Sequence, residues 1–364
     1  MPIAVSTFEH LAGEMLQLYE EAEQRMLQRV SKRLARGVTT PGWTEAKYAE
    51  VNAVRRELSA MVNDVSSGRR KLTKETLTLA YSESARAFAA EAGIDHISPN
   101  AVKVASILSE LDDALDAADR MILRKASDAY ADIVGRASAR VASGTITVRE
   151  AVKQELDQFA DRGIACFVDK AGRAWEMSNY AEMATLTAIE RATVQGYVDT
   201  MQSYGYDLAV ISSHVGACPI CAAWQGVVVS VSGNNRDYPS LADAEGSGVF
   251  HPRCLHHLST YYEGITKGTR NKPRAVQPPN VGYSTRQRQR ALERAVRRWK
   301  RRMAVATSPE DERLAYAHVR RYQAKIRELL GDSSEWLPRK YWREGGSVRL
   351  SPEAKKLRPV TLPK

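Results

Sequence analysis

Two short words of sequence, Cys218-Pro219-Ile220-Cys221 and His251-Pro252-Arg253-Cys254, share one three-residue offset and stand 29 residues apart. A Cys-x-x-Cys turn aims two thiolates at one point, and the second word repeats that offset with an imidazole and a thiolate. Four such donors can close a tetrahedron around zinc, and a metal held this way forces two distant parts of the chain together. The predicted ligand set is Cys218, Cys221, His251 and Cys254, with His214 and His256 as substitutes or as polar groups that orient a ligand. With every position filled by protein the zinc would be structural. The competing reading is a set of packed thiols and surface imidazoles without metal.

The chain holds four cysteines, and only Cys166 lies outside this cluster. A disulfide framework is spread more evenly and belongs to an oxidising compartment, so the clustering favours metal. Cys166 reads as a buried core thiol. At 364 residues the chain can bury a core without staples. It contains no long apolar run, so no membrane span is expected, and Met1 to Val5 does not open a signal peptide. Synthesis in a host cytoplasm is the expectation.

Hydrophobic periodicity predicts a mainly α fold with one small α+β domain. Ser6-Thr7-Phe8-Glu9 has the form of a capping box before the stripe Leu11, Met15, Leu18, Ala22, Met26, Val30 and Leu34, which ends at Gly37. Helices are expected from Trp43 to about Val65 and from Thr73 to Glu91. The longest should start at Ser98-Pro99 and run to Gly144, burying Leu108, Leu111, Leu115, Ala118, Ile122, Ala126, Ala129 and Ile133. Thr147-Val148-Arg149-Glu150 is a second capping box, opening a helix that ends near Gly163.

The texture then changes. Ala165 to Val168 and Ala174 to Met177 flank a turn and read as a hairpin; a helix over 178–204, a strand over 208–211 and a β-rich run over 227–231 follow. The predicted organisation is a helical region of long helices over 1–163 and a zinc-knuckle-like α+β domain over 164–264. A linker over 265–282, a basic helical hairpin over 283–331 and an extended, proline-containing basic tail over 332–364 complete it.

The formal net charge of +10 is placed unevenly. Residues 265–364 hold 26 Lys/Arg against 9 Asp/Glu, a balance of +17, which leaves −7 for the first 264. Such asymmetry points to a polyanionic partner for one end. On the helix after Thr285, the residues Arg286, Arg290, Arg294, Arg297, Arg298, Lys300, Arg301 and Arg302 form the candidate surface for nonspecific contact with double-stranded DNA phosphates. A merely solvated charged face is the alternative.

Enzyme templates fit poorly. A zinc deaminase needs His-x-Glu, yet Val215-Gly216 follow His214, and a His-Asn-His nuclease needs further histidines where only His318 follows His257. No Walker loop, dinucleotide fingerprint or serine elbow occurs. The expectation is a protein that is not an enzyme.

The stretch from Ile211-Ser212-Ser213-His214 through Trp224-Gln225-Gly226 to Phe250-His251-Pro252-Arg253-Cys254-Leu255-His256 resembles the phage minor capsid protein 2 family, itself similar to the Mu F-like head morphogenesis proteins. The shared words are His-x-Gly-Ala-x-Pro-x-Cys, Trp-Gln-Gly and His-Pro-x-Cys-x-His, in the same order with similar gaps. The helix at Trp43, the helix Tyr180 to Thr193 and the Arg-rich run Tyr283 to Arg302 look like the family too. Cys218 departs from the arginine common in minor capsid proteins and matches the cysteine of Mu F-like ones. Arg253 stands where Asn is common, and Leu255 where Arg is common.

The resemblance implies a structural head protein in the capsid interior near the portal vertex of a virion, present in several copies, that supports assembly, packaging or ejection. The portal protein and other head proteins are the implied partners, docked by the helical region 1–163. Two other readings stay open: a metal-dependent nuclease or effector delivered with the genome, and a cellular zinc-containing nucleic-acid-binding regulator.

Overall fold

A computed structural model describes residues 8–95, 100–144, 146–168, 172, 174–267, 269–273, 281–331, 336–346 and 348–362. The capping residues Ser6 and Thr7, the helix start Ser98-Pro99, most of the 169–173 turn and 274–280 of the predicted linker lie outside them, as does the side chain of Cys166. Ten α-helices and five strands are found among the described residues. In chain order they are α1 (Glu9–Ala35), α2 (Trp43–Ala92), α3 (Ala101–Ala142), α4 (Val148–Arg162), β1 (Ala165–Val168), β2 (Ala174–Glu176) and α5 (Met177–Ser203). Then follow β3 (Leu208–Ile211), α6 (Pro219–Trp224), β4 (Val228–Ser230), α7 (Leu241–Gly246), β5 (Leu258–Thr260), α8 (Val281–Val305), α9 (Pro309–Leu330) and α10 (Pro352–Lys356). None of these helices is long and apolar enough to cross a membrane.

The chain divides into two compact units. The first comprises Met1–Gly13, Arg70–Ala114 and Glu182–Arg288, and the second comprises Glu14–Arg69, Leu115–Ala181 and Gln289–Lys364.

In the second unit the α1 stripe is buried at Met15, Ala22, Met26, Val30 and Leu34, while Leu18 is half-buried and Tyr19 takes its place in the core; Leu11, in the first unit, is half-buried too. The helix C-terminus leaves carbonyls without intrahelical donors, and the Trp43 indole Nε1 donates to the Leu34 carbonyl at 3.0 Å. The helices expected to end at Val65 and to restart at Thr73 are one helix. Gly68 disfavours helix by about 1 kcal/mol, but its neighbour Arg69 is completely buried and pays that back through tertiary bonds. Its guanidinium donates to Asp119 at 3.0 Å and pairs with Asp116, while Ser66 and Tyr19 donate to the same Asp119 at 2.5 and 2.8 Å. Only a continuous helical backbone holds Ser66 and Arg69 on one face for that carboxylate.

On α3 the buried positions include Ile107 and Tyr130 in place of the expected Leu108 and Ala129, which are half-buried. A straight helix drifts relative to a heptad, so the core-facing stripe slides by one residue toward each end. Asn100 supplies the observed cap, its Oδ1 accepting from Val102 and Lys103. The Thr147/Glu150 capping box forms as expected, with both reciprocal bonds present. β1 and β2 pair antiparallel as the predicted hairpin.

Helices α8 and α9 share a core of Val296, Met303, Ala315, Val319, Ile326 and Leu330, and Trp299 stacks on His318 at 3.7 Å. Much of the segment expected to be an extended tail folds back. Leu337, Leu350 and Ala354 join this core, and the Ser351 amide and hydroxyl both donate to Glu312 at the start of α9.

The first unit carries a three-stranded antiparallel sheet in the order β4-β3-β5. Its core gathers Phe88, Tyr197, Met201, Ala209, Ile211, Trp224, Val229 and Leu258 around Cys221 and Cys254. At Gly196 a Cβ would sit 2.4 Å from the Tyr81 carbonyl oxygen, so α5 approaches α2 there as only glycine allows.

Candidate metal centre

Sheet pairing brings the two Cys/His words together. β3 and β5 pair with Ile211 opposite Leu258, and Ser212 extends the ladder by donating to the His257 carbonyl at 2.9 Å. The chain leaving β3 and the chain entering β5 therefore emerge at the same end of the sheet, one carrying the first knuckle and the other the second.

The first knuckle is a helix start. Cys218 is the N-cap of α6, its sulfur accepts from the Cys221 amide, and Pro219 occupies the first helical position, where no amide donor is needed. Gly216, at φ +78°, precedes it; a Cβ there would meet Gly282 backbone and the Arg286 guanidinium at 3.2 Å. The second knuckle carries two left-handed non-glycine residues, Phe250 (φ 58°) and Arg253 (φ 69°), on either side of His251. Such conformations persist only when surrounding bonds impose them. Here the Arg253 guanidinium pairs with the nearly buried Glu182 at 2.8 Å, and the Cys254 amide donates to the His251 carbonyl. Sequence reasoning gave Arg253 no role, because its partner lies 71 residues away; no local pattern announces it.

Around these turns Cys218 Sγ lies 3.1 Å from His251 Nε2, Cys221 Sγ 3.8 Å from Cys254 Sγ, and Cys254 Sγ 3.3 Å from His256 Nδ1. A Zn–S bond of about 2.3 Å sets two sulfurs of a tetrahedron about 3.8 Å apart, so the Cys221/Cys254 pair already has that edge. The His251 tautomer suits ligation as well. Its Nδ1 lies 2.9 Å from the Pro252 carbonyl, which only accepts, so Nδ1 carries a proton and Nε2, facing Cys218, is the atom that would bind a metal once its own proton leaves.

The donors form two overlapping triplets that share Cys221. One is Cys218, Cys221 and His251; the other is Cys221, Cys254 and His256, each with ligand atoms within 4.8 Å of one another. Three of the predicted ligands, Cys218, Cys221 and His251, form one triplet, while Cys254 joins Cys221 and the alternate His256, which is fully buried, in the other. The His214 ring meets the His256 ring at a 40° tilt with 4.3 Å between centroids, and the His214 amide donates to Gln225 Oε1. The Nε2 atoms of His214 and His256 are buried without a hydrogen-bond partner among the described residues. Orphaned imidazole nitrogens beside converging sulfurs fit a cation better than a dry apolar core. The buried Cys/His cluster could hold a metal.

The electrostatics agree. Hydrogen bonding with Cys221 depresses Cys218 to about 3 and Cys254 to about 4, while Cys221, which retains its proton between them, is raised. His251 is lifted to about 9, chiefly by its bond to Cys218. Burial lowers His214 and His257. Close by, burial pushes the Glu190 carboxyl up to about 10.

The eight cations singled out on α8 are dispersed to several tasks. Arg286 donates to the Val215 carbonyl at 3.1 Å, behind the first knuckle. Arg290 is half-buried and Arg294 is exposed. Three others are internal. Arg297 pairs with Glu20 at 3.0 Å, Lys300 donates to the Gly345 and Gly346 carbonyls, and Arg301 pairs with Glu176 and Glu23 and donates to the Ala160 carbonyl. Arg298 and Arg302 pair with Asp161, and Arg302 also with Asp157. Acids are scarce along this stretch of sequence but not in space, because α1, α4 and β2 bring them. Arg297, Lys300 and Arg301 are therefore packing cations rather than surface ones.

The chain is mainly helical, with small antiparallel sheets and a buried Cys/His cluster beside one of them. The chain belongs to the family described as phage minor capsid protein 2, whose sequence profile matches residues 3–331. It is similar to a protein named "Structural protein" of Lactococcus phage LL-H, 32% identical over 231 residues, covering 59% of this chain and 61% of that one. A second, of the same name from Lactococcus phage mv4, is 34% identical over 116 residues, 30% of this chain and 93% of that one. The chain thus spans less than two thirds of the LL-H protein's length. No solved structure matches. The protein is a phage structural protein of the minor capsid class.

Proposed function

We propose that this minor capsid protein sits inside the head near the portal vertex in several copies. There it docks on the portal and other head proteins through its helical regions, and a zinc ion pins the small sheet domain. The observation that carries the reading is the convergence of Cys218, Cys221, His251 and Cys254, with His256 beside them, from two turns on adjacent strands. A metal ion there would cross-link the chain leaving β3 to the chain entering β5, fixing the unit without a large core. The zinc supplies charge and geometry only; the protein groups orient it, His251 through Pro252 and the second turn through Arg253 and Glu182.

Nonspecific DNA contact falls to the exposed cations of the C-terminal third: Arg294, Arg320, Lys325, Arg327, Lys355 and Lys356. Each phosphate they neutralise releases counterions, so affinity should fall steeply with salt and hardly vary with sequence. The test is double-stranded DNA binding by the full chain against a variant with Arg294, Arg320, Arg327 and Lys356 changed to Gln. A shallower salt slope at equal fold content supports the reading; an unchanged slope, or a preferred sequence, overturns it. Asymmetric reconstruction of the virion tests location, and density for this chain away from the portal vertex overturns that part.

A further inference from the structure

A cavity of about 540 Å³ opens between α3, α5, α7 and the loop leading into the second knuckle. That volume is in the range of small-ligand sites. Ile107, Val194, Val249 and Phe250 give it apolar walls. Glu190 lines it from α5, only 1% exposed, and neither of its carboxylate oxygens has a hydrogen-bond partner among the described residues. Cys254 of the second knuckle acts on this carboxyl only through its charge, and no hydrogen bond joins the two among the described residues. A buried carboxyl with both oxygens unsatisfied is costly and rare, and it marks a place where a donor is missing.

The other charges narrow what that donor is. Lys103 and Arg191 also line the cavity, but Lys103 pairs with Asp199 and Arg191 with Glu110. Glu245, exposed on α7, adds a second carboxylate to the lining. With those two cations committed, the remaining acids of the lining are Glu190 inside, whose burial holds it neutral until a cation draws off its proton, and Glu245 at the exposed side, with apolar walls between the elements. A metal ion fits less well, because neither Glu190 nor Glu245 joins a cluster of three ligating groups among the described residues. An aliphatic stem with a cationic head matches the lining, since its methylenes can lie along the walls while its N–H groups reach Glu190.

We propose that this cavity is a receptor for an organic cation, a guanidinium or primary ammonium group on an aliphatic stem, seated on Glu190. His251 of the second knuckle also lines this cavity, so the site borders the metal centre, but the inference needs neither zinc nor DNA. The cation is either a free amine or a Lys/Arg side chain offered by another protein, and the experiment separates these.

The test titrates the full chain by calorimetry with agmatine, with a short acetylated and amidated Ala-Arg-Ala peptide, and with hexanoate as an anionic control. Saturable binding of agmatine or the peptide, none of hexanoate, and a loss of at least about tenfold in Glu190→Gln is the expected result, because bonds to a charged group are of that order. Binding of agmatine alone assigns a free amine; binding of the peptide as well assigns a side chain. Glu245→Gln should weaken binding less. Ser106→Trp, an exposed change at the cavity lining, should block it without touching Glu190. The absence of saturable binding at millimolar agmatine, or equal affinity in the wild type, Glu190→Gln and Ser106→Trp chains, overturns the proposal.

Discussion

Replacing Arg301 by alanine should destabilise the second unit more than any other single cation on α8, and more at pH 8 than at pH 5. Arg301 is 1% exposed and Glu23 is fully buried; the guanidinium faces Glu23 and donates to Glu176 and to the Ala160 carbonyl, each at 2.8 Å. Removing one partner of a buried pair leaves the other charge uncompensated and costs about 3–5 kcal/mol. The pH dependence comes from Glu23, whose pKa burial raises from about 4.5 to about 7 despite the attraction of Arg301. The folded chain binds that proton more tightly than the unfolded one. Its contribution is therefore full below about pH 4.5 and is lost as pH rises to about 7, a loss on the order of 3 kcal/mol. Without Arg301 the carboxyl should stay protonated to higher pH, so the variant keeps losing stability above pH 7 where the wild type has levelled off. Urea melts read by hydrogen exchange in α1 and α8 peptides measure this. The control is Arg298→Ala, whose partly exposed pair with Asp161 should contribute no more than about 1 kcal/mol. Equal costs for the two variants, or an Arg301→Ala cost that does not change between pH 5 and 8, would refute the reasoning.

Other outcomes follow from single contacts. Gly196→Ala should destabilise the first unit by about 1–3 kcal/mol, since its Cβ would overlap the Tyr81 carbonyl, whereas Gly246→Ala meets nothing within 4 Å and should be close to neutral; thermal melts compare them. Thr147→Ala removes the side-chain half of the α4 cap, the hydroxyl that accepts from the Glu150 amide, while the Thr147 amide still donates to Glu150, and should cost about 1 kcal/mol, seen as faster exchange of the Val148 to Ala151 amides. Arg253→Ala releases the left-handed turn beside His251 and should weaken metal binding about 10–100-fold by competition with a chelator, while unchanged affinity would show that the Glu182 pair does not position the site.

Local chemistry was legible in the sequence, and distant pairing was not. The Thr147 capping box, the β1/β2 hairpin and most of the stripe of α1 follow from residues within a turn or two of one another, and they form as read, except that Tyr19 takes the buried place expected of Leu18 and Leu11 is half-buried. The continuous α2 was not legible: Ser66, Gly68 and Arg69 argue for a break, and only Asp116 and Asp119, some fifty residues on, reverse that argument. The same limit governs α8. Its arginines read as a surface stripe because Glu20, Glu23 and Asp161, which receive them, lie more than a hundred residues earlier. At the metal centre the shared offset announced which residues gather, since spacing encodes a knuckle directly. Glu190 carried no signal at all, being one glutamate among many on a helix.

The most direct test of the central claim is elemental analysis of the purified full-length chain together with its native mass. The account predicts one zinc per chain, lost in Cys221→Ser along with part of the thermal stability, and displaced by chelator as the pH falls and the thiolates take up protons. A chain that carries no metal and melts at the same temperature with and without chelator would contradict it.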